Sequence, residues 1–160
     1  MTKTAPAALA AALLLAFAGP AAASNLVARV IISEQTMHVF HGGQLLYEWP
    51  VSTARTGKIT PTGEWTAQWL SRNHRSSRYN NAPMPFSIFY SGHYAVHGTD
   101  QISMLGRPAS AGCIRLHPDN ARILFDMARA EGLQNTRIVV IGLHEWDFGA
   151  VVEDVQAAAG

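Results

Sequence analysis

The chain has 160 residues, with 12 Lys and Arg against 11 Asp and Glu. Charged residues make up 14% and apolar ones 48%, and there is one cysteine. That length fits one domain, since domains run to roughly 100–200 residues. The composition is too apolar and too weakly charged for a disordered chain. The charge balance lacks the basic excess of a non-specific nucleic-acid binder, and a single thiol makes no intramolecular disulfide.

Residues 1–23 read as a secretory signal peptide. Lys3 opens an apolar run from Ala7 to Ala18, Gly19-Pro20 breaks it, and Ala21-Ala22-Ala23 offers a cleavage site before Ser24. The run falls well short of the ~20 residues a membrane span requires. No cysteine follows the cut, which excludes lipoprotein processing. Cleavage removes Lys3 and leaves a chain with no net charge. An exported location and no stable membrane insertion are therefore expected.

Leu26–Ile32 is rich in Val and Ile and predicts a strand. Thr36–Phe40 and Gln44–Pro50 flank His41-Gly42-Gly43 and predict a hairpin. Ala54–Pro61 is a loop by its Gly, Pro and Thr content. Gly63–Leu70 predicts another strand, with Trp65 and Trp69 assigned to the core. Ser71–Pro83 is polar, carries Arg72, Arg75 and Arg78, and reads as a long surface loop. Met84–Tyr90 and His93–His97 predict strands joined at Ser91-Gly92.

One helix stands out. Pro118 opens it, Ala121, Leu124, Phe125 and Ala128 share one face, and Gly132 stops it. Thr136–Gly142 predicts the last strand, and residues 143–160 a tail. Short strands with a single helix indicate a mainly-β sandwich or barrel.

The chemistry concentrates in His97-Gly98-Thr99 and Ser110-Ala111-Gly112-Cys113-Ile114-Arg115-Leu116. An exported protein keeps a lone thiol when it uses it, because oxidising compartments attack idle ones. Cys113 sits in a Gly- and Ser-containing turn and not inside an apolar strand. A free thiol is only slightly ionised at neutral pH, so a nucleophilic cysteine needs a base. His97, ending a strand before Gly98, is the candidate base, with Gly98 and Thr99 setting the turn. The backbone N–H groups of Gly112 and Cys113 are candidate oxyanion donors. Together these imply acyl transfer through a thioester.

These motifs resemble the L,D-transpeptidase catalytic domain, the YkuD-like family of bacterial cell-wall enzymes. Its signature is a His-Gly pair followed by Ser-x-Gly-Cys-(Ile/Val)-(Arg/Asn). Val51-Ser52-Thr53, Thr60-Pro61-Thr62-Gly63, Met84-Pro85, Leu105-Gly106-Arg107-Pro108 and Ile138–Gly142 also fit, so the likeness runs from Leu26 to Gly142. The resemblance implies a β-sandwich catalytic domain over residues 24–142, with its one main helix after the catalytic loop. It implies a peptidoglycan stem tetrapeptide as donor, Cys113 as nucleophile and His97 as base and then proton donor. The partners it implies are the stem peptide and an amine acceptor, with a 3→3 cross-link as product. Ser110 is expected near the pair, and Arg115 to shape the site or hold a substrate carboxylate. Ala111 departs from the family, which often has His there, and removes one hydrogen-bond donor. A backbone carbonyl is then the expected orienter of His97.

Other readings compete. Water as acceptor makes the protein an L,D-carboxypeptidase, and loss of chemistry makes it a peptidoglycan-binding module. His93 with His97 and Cys113 with His117 are each four apart, so zinc binding is a further reading. Their spacing matches no common zinc module, so no metal or other cofactor is assigned. His93 shares a strand face with His97 and is a candidate cleft residue. His117 reads as an ordinary loop residue, and His38, His41, His74 and His144 have no argued partners. Arg72, Arg75 and Arg78 are candidates to bind stem-peptide carboxylates from a lid.

Overall fold

The computed structural model describes residues 25–144 and Asp147. The expected leader and most of the expected tail lie outside the described residues. Apolar residues at alternate positions bury one face of Leu26–Ile31 (β1) and of Thr36–His41 (β2). Gly42 and Gly43 both have positive φ (56° and 82°), the two-residue turn that matches strand twist. It returns the chain into Gln44–Pro50 (β3).

β3, β2 and β1 lie in one five-stranded sheet, completed by Thr136–Ile141 (β9) and Gly63–Thr66 (β4) in the order β3-β2-β1-β9-β4. The second sheet has the order β5-β6-β7-β8, from Trp69–Arg75 (β5), Pro83–Ser91 (β6), Tyr94–Gly98 (β7) and Ile114–Leu116 (β8). The two parallel pairings are β1 with β9 and β7 with β8.

Two expectations need correction. Gly63–Leu70 is not one strand, because the chain leaves one sheet and enters the other within it. Ala67 N–H donates to Thr136 in the first sheet, and Gln68 N–H donates to Phe89 in the second. Nor is Ser71–Pro83 all loop. β5 continues to Arg75 because an edge strand tolerates polar residues on its open side, and only residues 76–82 form the turn. β8, three residues long, is too short to show in the sequence pattern.

Pro118–Glu131 (α1) follows β8, with Ala121, Leu124, Phe125 and Ala128 buried as their spacing predicts. His117 is no ordinary loop residue: it caps this helix, its Nδ1 accepting from Asp119 N–H at 3.3 Å. The helix packs on β6 and β7 and shares one core with Leu26, Met37, Ile88, Val96, Ile114 and Ile138. Gly98 lets it approach. A Cβ there would lie 3.1 Å from Pro85 Cγ and 3.2 Å from Pro118 Cα. Among the described residues, no helix is long and apolar enough to cross a membrane.

Candidate active site

β7 and β8 run parallel with His97 opposite Arg115 and Val96 opposite Ile114. Side chains alternate across a strand. Val96, Ile114 and Leu116 therefore enter the core, while Ala95, His97, Cys113 and Arg115 share the other face. That face floors a cleft of about 610 Å³, into which Cys113 and His97 both open. Phe86, with a left-handed φ of 56°, interrupts the alternation of β6. Its ring meets Phe125 of α1, while Met84 and Phe89 both turn to the cleft.

The loop bearing the cysteine is stitched to residues 51–55. Ser52 and Arg115 exchange both backbone hydrogen bonds, at 3.0 and 2.9 Å. Ser110 N–H donates to Thr53 O at 2.8 Å, and Arg55 N–H donates to Ser110 O at 2.9 Å. Thr53 is itself held by the buried Gln35, whose Nε2 donates to Thr53 Oγ1 and whose Oε1 accepts from Thr53 N–H. Gly112 at φ +134° is a position only glycine fills. A Cβ would meet the Tyr94 ring at 2.6 Å and Ile59 O at 2.8 Å.

His97 is 6% exposed. Its Nδ1 lies 2.7 Å from Gly98 O. A carbonyl only accepts, so Nδ1 carries the proton and Nε2 keeps the lone pair. The orienting group is thus a backbone carbonyl. Burial pushes His97 down to about 4 from its ordinary 6.5, with the Arg115 and His74 charges adding to it and the Gly98 hydrogen bond opposing. Burial pushes the Cys113 thiol up, against the Ala95 amide and the Arg115 charge, which favour thiolate. Both shifts favour the neutral forms, thiol and imidazole. Cys113 Sγ makes a long contact of 3.8 Å to His93 O.

Other candidates sort by position. Ser110, Arg115, His93 and Arg78 line the cleft. Arg115 Nη1 donates to Gln101 Oε1 at 2.8 Å, and Ser110 Oγ accepts from Gly112 N–H at 3.0 Å. That bond corrects one expectation: the Gly112 N–H is occupied and is not an open oxyanion donor. Among the described residues, none accepts from the Cys113 N–H. Gly98 does not shape the cleft by its turn; it lies against α1 and acts on His97 through its carbonyl. Arg72 is turned to the opposite side of β5, over the rings of Phe86 and Phe125 and 3.3 Å from Asp126. Arg75 bonds Asn81 O, outside the cleft lining. Trp69 is not core: it is 42% exposed, stacks on Phe89 at 3.7 Å and lines the cleft with His74. His38 pairs with Glu48 and His41 with Glu131. His117 is held at the helix cap, and among the described residues no three His, Cys, Asp or Glu are grouped to hold a metal.

Arg55, absent from the sequence reading, also lines the cleft, its Nη1 donating to Ser110 O at 3.2 Å. The bridges of Ser52 with Arg115 and of Ala54 with Ser110 bring it there, and no local pattern reveals them.

Comparison with known proteins gives the family and the fold. Residues 26–141 match the family model for the L,D-transpeptidase catalytic domain, YkuD. Two curated proteins, named putative L,D-transpeptidase YkuD, from Bacillus licheniformis and Bacillus subtilis strain 168, are each 27% identical over 92 residues. The match covers 55% of this chain and 51% of theirs, so the chain spans about half the length of these relatives. An L,D-transpeptidase structure from Mycobacterium smegmatis superposes with a TM-score of 0.66 at 23% identity, covering 74% of this chain and 59% of that one. One solved in complex with imipenem gives 0.65 at 24% identity, covering 73% and 59%. The chain belongs to the L,D-transpeptidase catalytic domain family. Its mainly-β fold, with one α-helix element among the described residues, is the fold of those structures.

Proposed function

We propose that the protein is an exported cysteine L,D-transpeptidase that cuts and rejoins peptidoglycan stem tetrapeptides. One observation carries the reading: His97 of β7 and Cys113, the residue before β8, line the same cleft, with Nδ1 committed to Gly98 O and the Nε2 lone pair left free.

In the first half-reaction, Cys113 Sγ attacks the carbonyl carbon of the third stem residue. The thiol proton passes to His97 Nε2, and the carbonyl oxygen takes the negative charge. The Cys113 N–H is the donor for that oxyanion. Collapse breaks the peptide C–N bond, His97 returns the proton to the departing D-residue, and a thioester remains. An acceptor amine then gives its proton to His97, attacks the thioester carbon and releases the thiol. Because burial favours the neutral form of both groups, the proton is transferred as the substrate reacts. Arg55 and Arg115 supply positive charge beside the nucleophile, which suits a donor carrying carboxylates. The leader read at residues 1–23 supports export to the compartment where that donor lies.

The test incubates the protein, freed of its leader, with disaccharide-tetrapeptides and follows products by mass spectrometry. Cross-linked dimers are expected. Tripeptide alone would make water the acceptor. No product, with Cys113 left unmodified by imipenem, would sink the enzymatic reading in favour of a binding module. Cys113→Ala should abolish turnover with the thermal transition nearly unchanged.

A further inference from the structure

Thr60 lies in the loop between β3 and β4 and is fully buried. Its hydroxyl is spent on two backbone groups. Oγ1 donates to Gly112 O at 2.8 Å and accepts from Ala54 N–H at 3.0 Å. Ser110 Oγ holds the other side of Gly112 through its N–H at 3.0 Å. The two flanking peptide planes are thereby fixed independently.

The plane between Gly112 and Cys113 is the one that matters. A trans peptide sets its C=O and N–H in opposite directions. Fixing the Gly112 carbonyl on Thr60 therefore fixes where the Cys113 N–H points, away from Thr60. Gly112 at φ +134° has no Cβ to resist rotation, so its own conformation does not hold that plane. Thr60 is in turn propped from behind. His144, 5% exposed, brings Nε2 within 3.3 Å of Thr60 N and 3.2 Å of Thr60 O. Either tautomer bonds the Thr60 backbone.

We infer that Thr60 is a positioning residue that aims the Cys113 N–H at the developing oxyanion, and that His144 braces it from the segment after β9. This rests on the transpeptidase reading and adds a residue to it. It also makes the chain just beyond β9 part of the catalytic apparatus.

Two reagents separate aim from nucleophilicity. Acylation by imipenem bonds Sγ to the β-lactam carbonyl carbon, breaks the ring C–N bond and sends the thiol proton to the ring nitrogen. Its carbonyl oxygen gains charge on the way. Alkylation by iodoacetamide displaces iodide at a saturated carbon and needs no oxyanion donor. Thr60→Val keeps the shape and removes the hydroxyl. It is expected to slow acylation by about tenfold, short of the 10²–10³ for losing a donor outright. Alkylation across pH should match the unaltered protein, and Thr60→Ser should restore acylation. His144→Ala leaves the hydroxyl in place and should show the same pattern more weakly, which serves if Thr60→Val does not fold. Equal acylation rates in the unaltered and substituted proteins would overturn the inference. So would acylation and alkylation falling together, which marks a collapsed loop. An unaltered protein that alkylates but never acylates overturns the transpeptidase reading, and this inference with it.

Discussion

His97 is a base made weak by its surroundings. Its ring is closed off from water and faces the Arg115 charge, so the protonated form is disfavoured down to about pH 4. The sign follows for stability. In the unfolded chain the group takes its proton near 6.5, and in the folded chain only near 4. The unfolded state therefore holds more protons between these values, and stability falls as pH drops through that window. Below about 4 the contribution is fully lost. At about 1.4 kcal/mol per pH unit, the whole effect is on the order of 3 kcal/mol. Denaturant midpoints measured from about pH 7 to 4 should fall steeply, and His97→Gln should flatten that slope. On the proposed mechanism, the same number sets the acid limb of acylation. Acylation by imipenem should hold level well below pH 6.5, because Nε2 stays unprotonated there. An acid limb centred near 6.5 would mean that the ring is solvated and not closed off from water.

At the scale of elements, the close approach of α1 to β7 fixes Gly98. Gly98→Ala should cost about 1–3 kcal/mol, the usual penalty of overpacking, because one neighbour is the Pro118 backbone, which does not swing aside. Chemical denaturation measures it. The shift should also lower acylation, since the carbonyl that sets the His97 tautomer moves with it. This contact shows where sequence reading ends. Cys113, His97 and the buried face of α1 were legible because each is carried by near neighbours: a turn, a strand end, a helical repeat. The hairpin at Gly42-Gly43 was legible for the same reason. What Gly98 touches depends on where a helix twenty residues later comes to rest, and no local pattern encodes that. Trp69 was misplaced because its exposure follows from β5 being an edge strand, a property of sheet order. Arg72 was misplaced by the same element, since β5 turns it onto α1 where a loop would have left it over the cleft.

At the scale of the molecule, the cleft is built from both sheets' connections, yet its two sides differ in how they are held. The cysteine side is locked by backbone. Ser52 with Arg115, Thr53 with Ser110, and Arg55 with Ser110 join the loop to residues 51–55, whose Val51, Ser52, Thr53 and Ala54 are fully buried. These amides open only when the core opens, so their exchange should approach that of global unfolding. The opposite rim is residues 76–82, joining β5 to β6 at the sheet edge. It is held by Ser76 N–H to Ala82 O, by Ala82 N–H to Tyr79 O and by the Ser76 hydroxyl, with Asn80 and Asn81 at positive φ. Most of its residues are exposed. Its amides should exchange through local opening at far lower free energy. Hydrogen exchange read by mass spectrometry on peptides covering residues 51–55, 109–116 and 76–82 tests the contrast directly. Slow exchange in the first two and fast exchange in the third means that the Cys113 loop is preorganised and that, on the proposed function, adjustment to substrate falls on the Arg78 side. Equal exchange in all three would mean that the cysteine loop is not locked before substrate binds, and the oxyanion donor would then have to be assembled by the substrate itself.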